Sequence, residues 1–133
     1  MRLVARHFGV CGMLLAGAAA AAAPAGAAIS LSVALKNYYA EYEIVEQCAR
    51  QSQLSQEDVE TAGVALVAIE KYYFDRDQDL NKAHLKRQAI AEKNDSFKIL
   101  ERSGESGFRP YCQMSLNELL RKAEEVGQPA KAE

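Results

Sequence analysis

Three aspartates at alternate positions form the segment of this sequence that looks most like a binding site. Asp75, Asp77 and Asp79 lie in the run DRDQDLN, and alternating carboxylates open many calcium-binding loops. The rest of such a loop is missing, because Leu80 stands at the sixth position, where glycine permits a sharp turn, and Lys86 at the twelfth, where a glutamate is needed. The segment therefore predicts a solvated acidic turn and no metal site.

The other residues that could support chemistry do not form a catalytic pattern. His84 is the one histidine beyond the N-terminal leader described below, and we expect it to face solvent from a helix. The run GESG at 104–107 does not satisfy G-x-S-x-G, and no strand precedes it. The sequence has no phosphate-binding glycine pattern and no carboxylate pair that spacing assigns as acid and base. We therefore expect no enzyme activity, no metal and no cofactor.

The first 27 residues have the three parts of a bacterial export signal. Arg2 and Arg6 precede an apolar, alanine-rich stretch, and residues 25–27, Ala-Gly-Ala, provide a small-residue cleavage site. Cleavage there predicts a periplasmic or secreted chain that begins at Ala28 and has no stable membrane anchor. The alternative is an uncleaved anchor, because the apolar run approaches the length that spans a bilayer.

Cysteine usage and charge both constrain the mature chain. Cys11 leaves with the leader, so Cys48 and Cys112 remain as an even pair in an oxidising compartment. We expect them to form one disulfide, which leaves no thiolate for metal binding or nucleophilic catalysis. Processing also removes two of the 16 basic residues and none of the 18 acidic ones, which gives a net charge of −4. This balance disfavours nucleic acid and anionic membranes as partners.

Apolar residues recur at intervals of three or four through the mature chain, as they do on one face of an amphipathic helix. The predicted helices cover 30–53 and 56–74, then a third from Asp79 or Asn81 to about Arg102, and a fourth from Ser115 to Gly127. No stretch alternates apolar and polar residues as a strand would. The predicted fold is all-α, a small four-helix domain over 28–127 with one intramolecular disulfide, followed by a disordered tail at 128–133.

Capping residues and turn formers set these boundaries. Ser55 is predicted to cap the second helix, with Leu54 and Val59 packed together across its start. The run at 94–96, Asn-Asp-Ser, can break the third helix in two. Glycines at 104 and 107 and the proline at 110 indicate a loop, after which Ser115 and Glu118 form a capping box and Met114 packs on Leu119.

Surplus aromatic residues are the candidates for partner contacts. Tyr72, Tyr73 and Phe74 are consecutive and would fan across ~200° of helix surface, wider than the stripe of about 100° that a core absorbs. Either the following loop and the fourth helix wrap this helix end, or the aromatics are exposed anchors for a partner. Tyr39 lies beside Glu43 and Glu46, off the apolar stripe of the first helix, so it would either cap the edge of the core or face a partner. That stripe is Leu31, Leu35, Tyr38, Tyr42, Val45 and Ala49. Tyr39, Tyr72 and Phe74 are therefore the predicted contacts.

The motifs EQCAR, VALVAIEKYY and YCQMSLNELLRK together resemble small exported helical two-cysteine proteins of bacteria, which have no established activity. The resemblance covers most of the mature chain and implies fold and export, since its motifs concern helix packing and the disulfide. The architecture is also similar to that of the periplasmic acid-stress chaperones. It departs from them in a longer separation between the cysteines and in the absence of a tryptophan beside the first one.

Export, the lack of catalytic motifs and the surplus aromatics favour a non-enzymatic domain that binds another periplasmic protein. The alternative is an acid-activated chaperone. Protonation of many of the 18 carboxylates would leave a net positive charge, loosen the fold and expose apolar helix faces while the disulfide limits unfolding. The sequence leaves the oligomeric state open.

Overall fold

The computed structural model describes residues 29–103 and 105–127 of the chain. Four α-helices make up this part, namely α1 (Leu31–Arg50), α2 (Gln56–Phe74), α3 (Lys82–Ser103) and α4 (Glu105–Gly127). The described residues contain no strand, so the predicted all-α, four-helix domain is confirmed. The export signal predicted at 1–27 and the tail predicted at 128–133 lie outside the described residues.

The connection between α1 and α2 is built from two complementary caps. Ser52 has a positive φ of 56°, its N–H donates to the carbonyl of Ala49, and the N–H of Gln53 donates to the carbonyl of Cys48. This pair of bonds is a Schellman motif, and it ends α1 at Arg50, earlier than the predicted 53. The predicted cap at Ser55 is confirmed, and it forms a capping box with Asp58.

The third helix is continuous. Asn81 is confirmed as its cap, because its side-chain oxygen accepts a hydrogen bond of 2.9 Å from the backbone N–H of His84. The break predicted at 94–96 does not occur, since Phe97 is buried just beyond it and holds this part of α3 against the rest of the domain. The expected exposure of His84 is also confirmed.

The fourth helix begins ten residues before the predicted start, so the loop and the capping box predicted there are wrong. Phe108 and Cys112 are both buried one helical turn apart, and the ring of Phe108 lies 5.8 Å from that of Phe97. This contact orders the segment as helix although Pro110 removes one backbone donor inside it. Ser115 is only 2 % exposed in the middle of the helix, while Met114 points to solvent and does not pack on Leu119 as predicted.

Helices α1 and α4 each pack against all three other helices, and α1 makes the more extensive contacts. Its buried face is therefore wider than the predicted stripe and includes Tyr39, Ala40, Ile44 and Cys48. The main core unites all four helices, and its fully buried members are Leu35, Val45, Ala62, Ile69, Ala89 and Leu119.

A second, smaller core surrounds the disulfide. Cys48 on α1 and Cys112 on α4 are bonded and fully buried, with their Cα atoms 5.8 Å apart, which confirms the predicted bridge. Ile44, Phe97 and Phe108 complete this cluster. The two cysteines are 64 residues apart in sequence. Closing a loop of that length stabilises the folded chain by about 4 kcal/mol in the chain-entropy treatment.

Candidate interaction surface

Helix α2 exposes apolar side chains on the face that points away from the core. Val64 and Val67 are 74 % and 64 % exposed, and Ala68 is exposed beside them. Residues three and four apart in a helix are neighbours, so these three side chains form one continuous patch. We call Val64, Val67 and Ala68 the outer α2 face.

This face exists because α2 has more apolar residues than one buried stripe can use. The core side of the helix already carries its buried residues, which are Ala62, Ala65, Leu66, Ile69 and Tyr73. A helix that is apolar around most of its circumference is normally covered on more than one side. In the described chain the outer α2 face has no such cover, whereas single exposed apolar side chains elsewhere are ordinary.

A groove of about 540 Å³ continues this face toward the ends of α2 and α4. Ala68 and Lys71 lie on the outer side of α2 and also line one wall of the groove. The opposite wall is the last turn of α4, where Glu125 and Val126 lie. Hydrogen bonds donated by Lys122 and then Arg121 lower the pKa of the Glu125 carboxyl, so this carboxylate is ionised at neutral pH and paired with two cations.

Tyr72 lies inside this groove, and cationic side chains cover its ring. The guanidinium carbon of Arg76 is 3.4 Å from the ring centroid, and the ammonium of Lys122 on α4 is 5.4 Å from it. Arg76 also donates a 2.9 Å hydrogen bond to the carbonyl of Tyr72. Tyr72 and Phe74 are half-buried against the main core, while Tyr73 between them is buried. Contacts from the following turn and from α4 therefore account for much of this aromatic run, as the first of the two sequence interpretations expected.

Tyr39 is not on the surface. The side chain is 3 % exposed, so it belongs to the core and not to the surface that a partner would meet. Its ring faces α3, where the Lys86 ammonium is 5.2 Å from the centroid. Burial first, and then the nearby Glu70 carboxylate, raise the pKa of the Tyr39 hydroxyl well above its ordinary value. Glu70 itself is held by Lys82 at 2.7 Å, so this polar cluster joins α1, α2 and α3, with Tyr39 buried and Lys82 at the surface.

A second surface groove, of about 440 Å³, lies between α1 and α4. Met114 is its most exposed apolar residue at 68 %, and Glu41 and Tyr111 lie beside it. Arg121 forms hydrogen bonds with Glu118 at the other end, and they lower the pKa of that carboxyl. Charged side chains thus flank a single exposed methionine, and this groove is a smaller apolar target than the outer α2 face.

The described residues give no second kind of site. Among them, no group of three histidine, cysteine or acidic side chains is placed to hold a metal ion. This holds for the three aspartates of the acidic turn as well. No helix of residues 29–103 and 105–127 is both long and apolar enough to cross a membrane. The chain matches no protein-family model, no curated protein and no solved structure.

Sequence reasoning did not identify Val64 and Val67 as a contact surface. The signal was present in VALVAIEKYY, where apolar residues occupy every side of the helix. Attention to the aromatic residues at the end of that run led to Tyr72 and Phe74, which lie next to the exposed face but contribute less apolar surface to it.

Proposed function

We propose that the mature chain is an exported, non-enzymatic protein-binding domain, and that the outer α2 face is its contact surface. The observation that carries this proposal is the exposure of Val64 and Val67 side by side on a helix whose other side is fully packed. Covering an apolar patch of this kind is the usual driving force for association between proteins. Export rests on the predicted leader, and the buried disulfide is compatible with an oxidising compartment.

The test is capture of a partner with matched surface variants. The exported, oxidised protein serves as bait in a periplasmic extract at neutral pH, and bound proteins are identified by mass. One stoichiometric partner should be retained by the unmodified chain and by Met114→Ser. It should be lost with Val64→Ser/Val67→Ser, which removes exposed side chains and leaves the core intact. Equal capture by all three baits would refute the assignment of the surface.

The acid-activated chaperone remains the second candidate, and one feature of the fold favours it. Helix α3 is joined to α1 by the Lys36–Glu92 pair at 2.6 Å and to α2 by the Lys82–Glu70 pair at 2.7 Å. The net positive charge of the chain in strong acid would push the helices apart and weaken these attachments, whereas the disulfide would continue to hold α1 to α4. Release of α3 would expose its buried apolar residues, including Leu85, Ala89 and Phe97.

This alternative predicts that the protein suppresses client aggregation and binds a hydrophobic dye at acid pH alone. Glu92→Gln removes one of the two ion pairs at every pH, so dye binding by that variant should begin at a higher pH. An unmodified chain that stays compact and binds no dye in acid would refute the chaperone alternative. A stoichiometric partner at neutral pH would instead favour the binding domain.

A further inference from the structure

Charged residues lie on either side of the apolar patch along the outer side of α2. Positions at alternating intervals of three and four lie on one side of a helix, which is the side that a second helix packed along it would contact. On this side of α2 they are Glu57, Glu60, Val64, Val67, Lys71 and Phe74, which we call the seam. All of them are exposed except Phe74, which is half-buried. The seam therefore has an apolar centre at the two valines and charged residues beyond it.

Charge is distributed unequally along this seam. Glu57 and Glu60 lie toward the N-terminal end, the two valines occupy the middle, and Lys71 lies toward the C-terminal end. The midpoint of the seam falls between residues 65 and 66. Rotation by 180° about that midpoint exchanges Val64 with Val67 and Glu60 with Lys71, and it places Glu57 opposite Phe74 at the two ends. The four central positions of the seam are thus complementary to themselves when two copies run in opposite directions.

We propose that a second copy of this chain occupies the outer α2 face, with the two α2 helices packed antiparallel about a two-fold axis. The inference rests on the proposed function, because it names the partner of the same surface. Val64 of each copy meets Val67 of the other, and Glu60 of each copy pairs with Lys71 of the other. The opposed helix dipoles add a favourable contribution.

A parallel arrangement of the two helices would bring Glu60 against Glu60 and Lys71 against Lys71, so like charges would repel at both ends. An anionic membrane is disfavoured by the glutamates at the N-terminal end of the seam. A different protein would need its own acidic and basic residues at the same separation on either side of an apolar centre. A second copy meets that requirement with no further condition.

The size of the contact sets the expected affinity. A helix of 19 residues is about 28 Å long, so one helix pair covers less area than a standard interface of roughly 1,600 Å². The dimer is therefore expected to be weak and reversible, with a dissociation constant on the order of micromolar. In the monomer Lys71 pairs with Asp75 at 2.6 Å, and both side chains of that pair are exposed, so Lys71 can turn to a new partner at little cost.

The test is sedimentation equilibrium of the exported, oxidised protein at low salt, where surface charges are least screened. The unmodified chain and Met114→Asp should dimerise, and Val64→Asp should be monomeric. Glu60→Lys and Lys71→Glu should each weaken self-association at least about tenfold, because each puts like charges together twice in the symmetric pair. An equimolar mixture of these two variants should dimerise again. In the mixed pair, both contacts between position 60 of one copy and position 71 of the other join opposite charges.

Two results would overturn the inference. One is a monomeric unmodified chain at about 100 µM, well above the expected dissociation constant. The other is a dimer that the two charge variants leave unchanged, which would mean that another surface forms it. If the chain is monomeric and Val64→Ser/Val67→Ser still abolishes capture of a different protein, the proposed function stands without the homodimer. If capture is unaffected as well, both fail.

Discussion

The buried hydroxyl of Tyr39 leads to a prediction that is opposite to the usual effect of a core substitution. Its oxygen is buried and has no hydrogen-bond partner among the described residues. The Glu70 carboxylate raises the pKa of Tyr39 both by its charge and as a nearby acceptor, but the distance and angle between the two groups are not those of a hydrogen bond, and Glu70 accepts one from Lys82 instead. Tyr39→Phe removes the unsatisfied oxygen and keeps the ring, so it should stabilise the fold.

The magnitude follows from the cost of burying a polar group without a partner, which is about 1–3 kcal/mol. The lower end applies here, because Lys86 and Glu70 make the surroundings partly polar. Tyr39→Phe should therefore raise the free energy of unfolding by about 1 kcal/mol. In a domain of this size the melting temperature should rise by about 4–8 °C. The assay is thermal and urea unfolding of the oxidised protein at neutral pH, followed by circular dichroism.

Tyr42→Phe is the matched control. Tyr42 is on the same helix and only half-buried, so loss of its hydroxyl should change stability by less than about 0.5 kcal/mol. A lower unfolding midpoint for Tyr39→Phe would refute the reasoning. It would mean that the hydroxyl makes a stabilising hydrogen bond to the Glu70 carboxylate in solution.

Three further predictions concern the backbone and the tyrosines. Ser52→Gly should stabilise the chain by about 1 kcal/mol, because Ser52 has a positive φ that glycine adopts without strain. An unchanged urea midpoint would argue against the Schellman geometry. Gly63→Ala should stabilise α2 by about 0.5–1 kcal/mol, because alanine has the higher helix propensity. A new Cβ would be 3.6 Å from the Tyr42 hydroxyl, which is an ordinary contact distance. A lower urea midpoint would show that the new methyl group displaces Tyr42. Stability should also fall as pH rises above about 10, because burial raises the folded-state pKa of several tyrosines and the unfolded chain then loses protons first. Urea midpoints measured from pH 8 upward should show this fall, and Tyr39→Phe should make it less steep. Equal slopes would contradict the assignment to the tyrosines whose pKa is raised by burial, which are Tyr38, Tyr39, Tyr42 and Tyr73.

Sequence patterns predicted the fold class, the disulfide and the caps of α2 and α3, because each of these depends on residues close in the chain or on a single possible pair of cysteines. The start of α4 was not predictable in the same way. Gly104, Gly107 and Pro110 all favour a loop locally. The helix forms there because Phe108 packs against Phe97 on α3. Such a contact between distant residues overrides local propensity, and periodicity within one segment carries no information about it.

The surface was harder to predict than the core for a related reason. A single apolar stripe assumes that a helix has one partner, yet α1 has three neighbours and buries Tyr39, which a one-stripe reading leaves at the edge. Helix α2 shows the opposite case, because its buried residues fill the side that faces the other helices and Val64 and Val67 remain outside. The number of neighbouring helices explains both cases. Helix α1 has enough neighbours to bury apolar residues on several sides, whereas α2 has too few to bury its outer side. An antiparallel second copy would supply the neighbour that α2 lacks, and it would explain why the valines are bracketed by charges of opposite sign at equal distances from the centre of the seam.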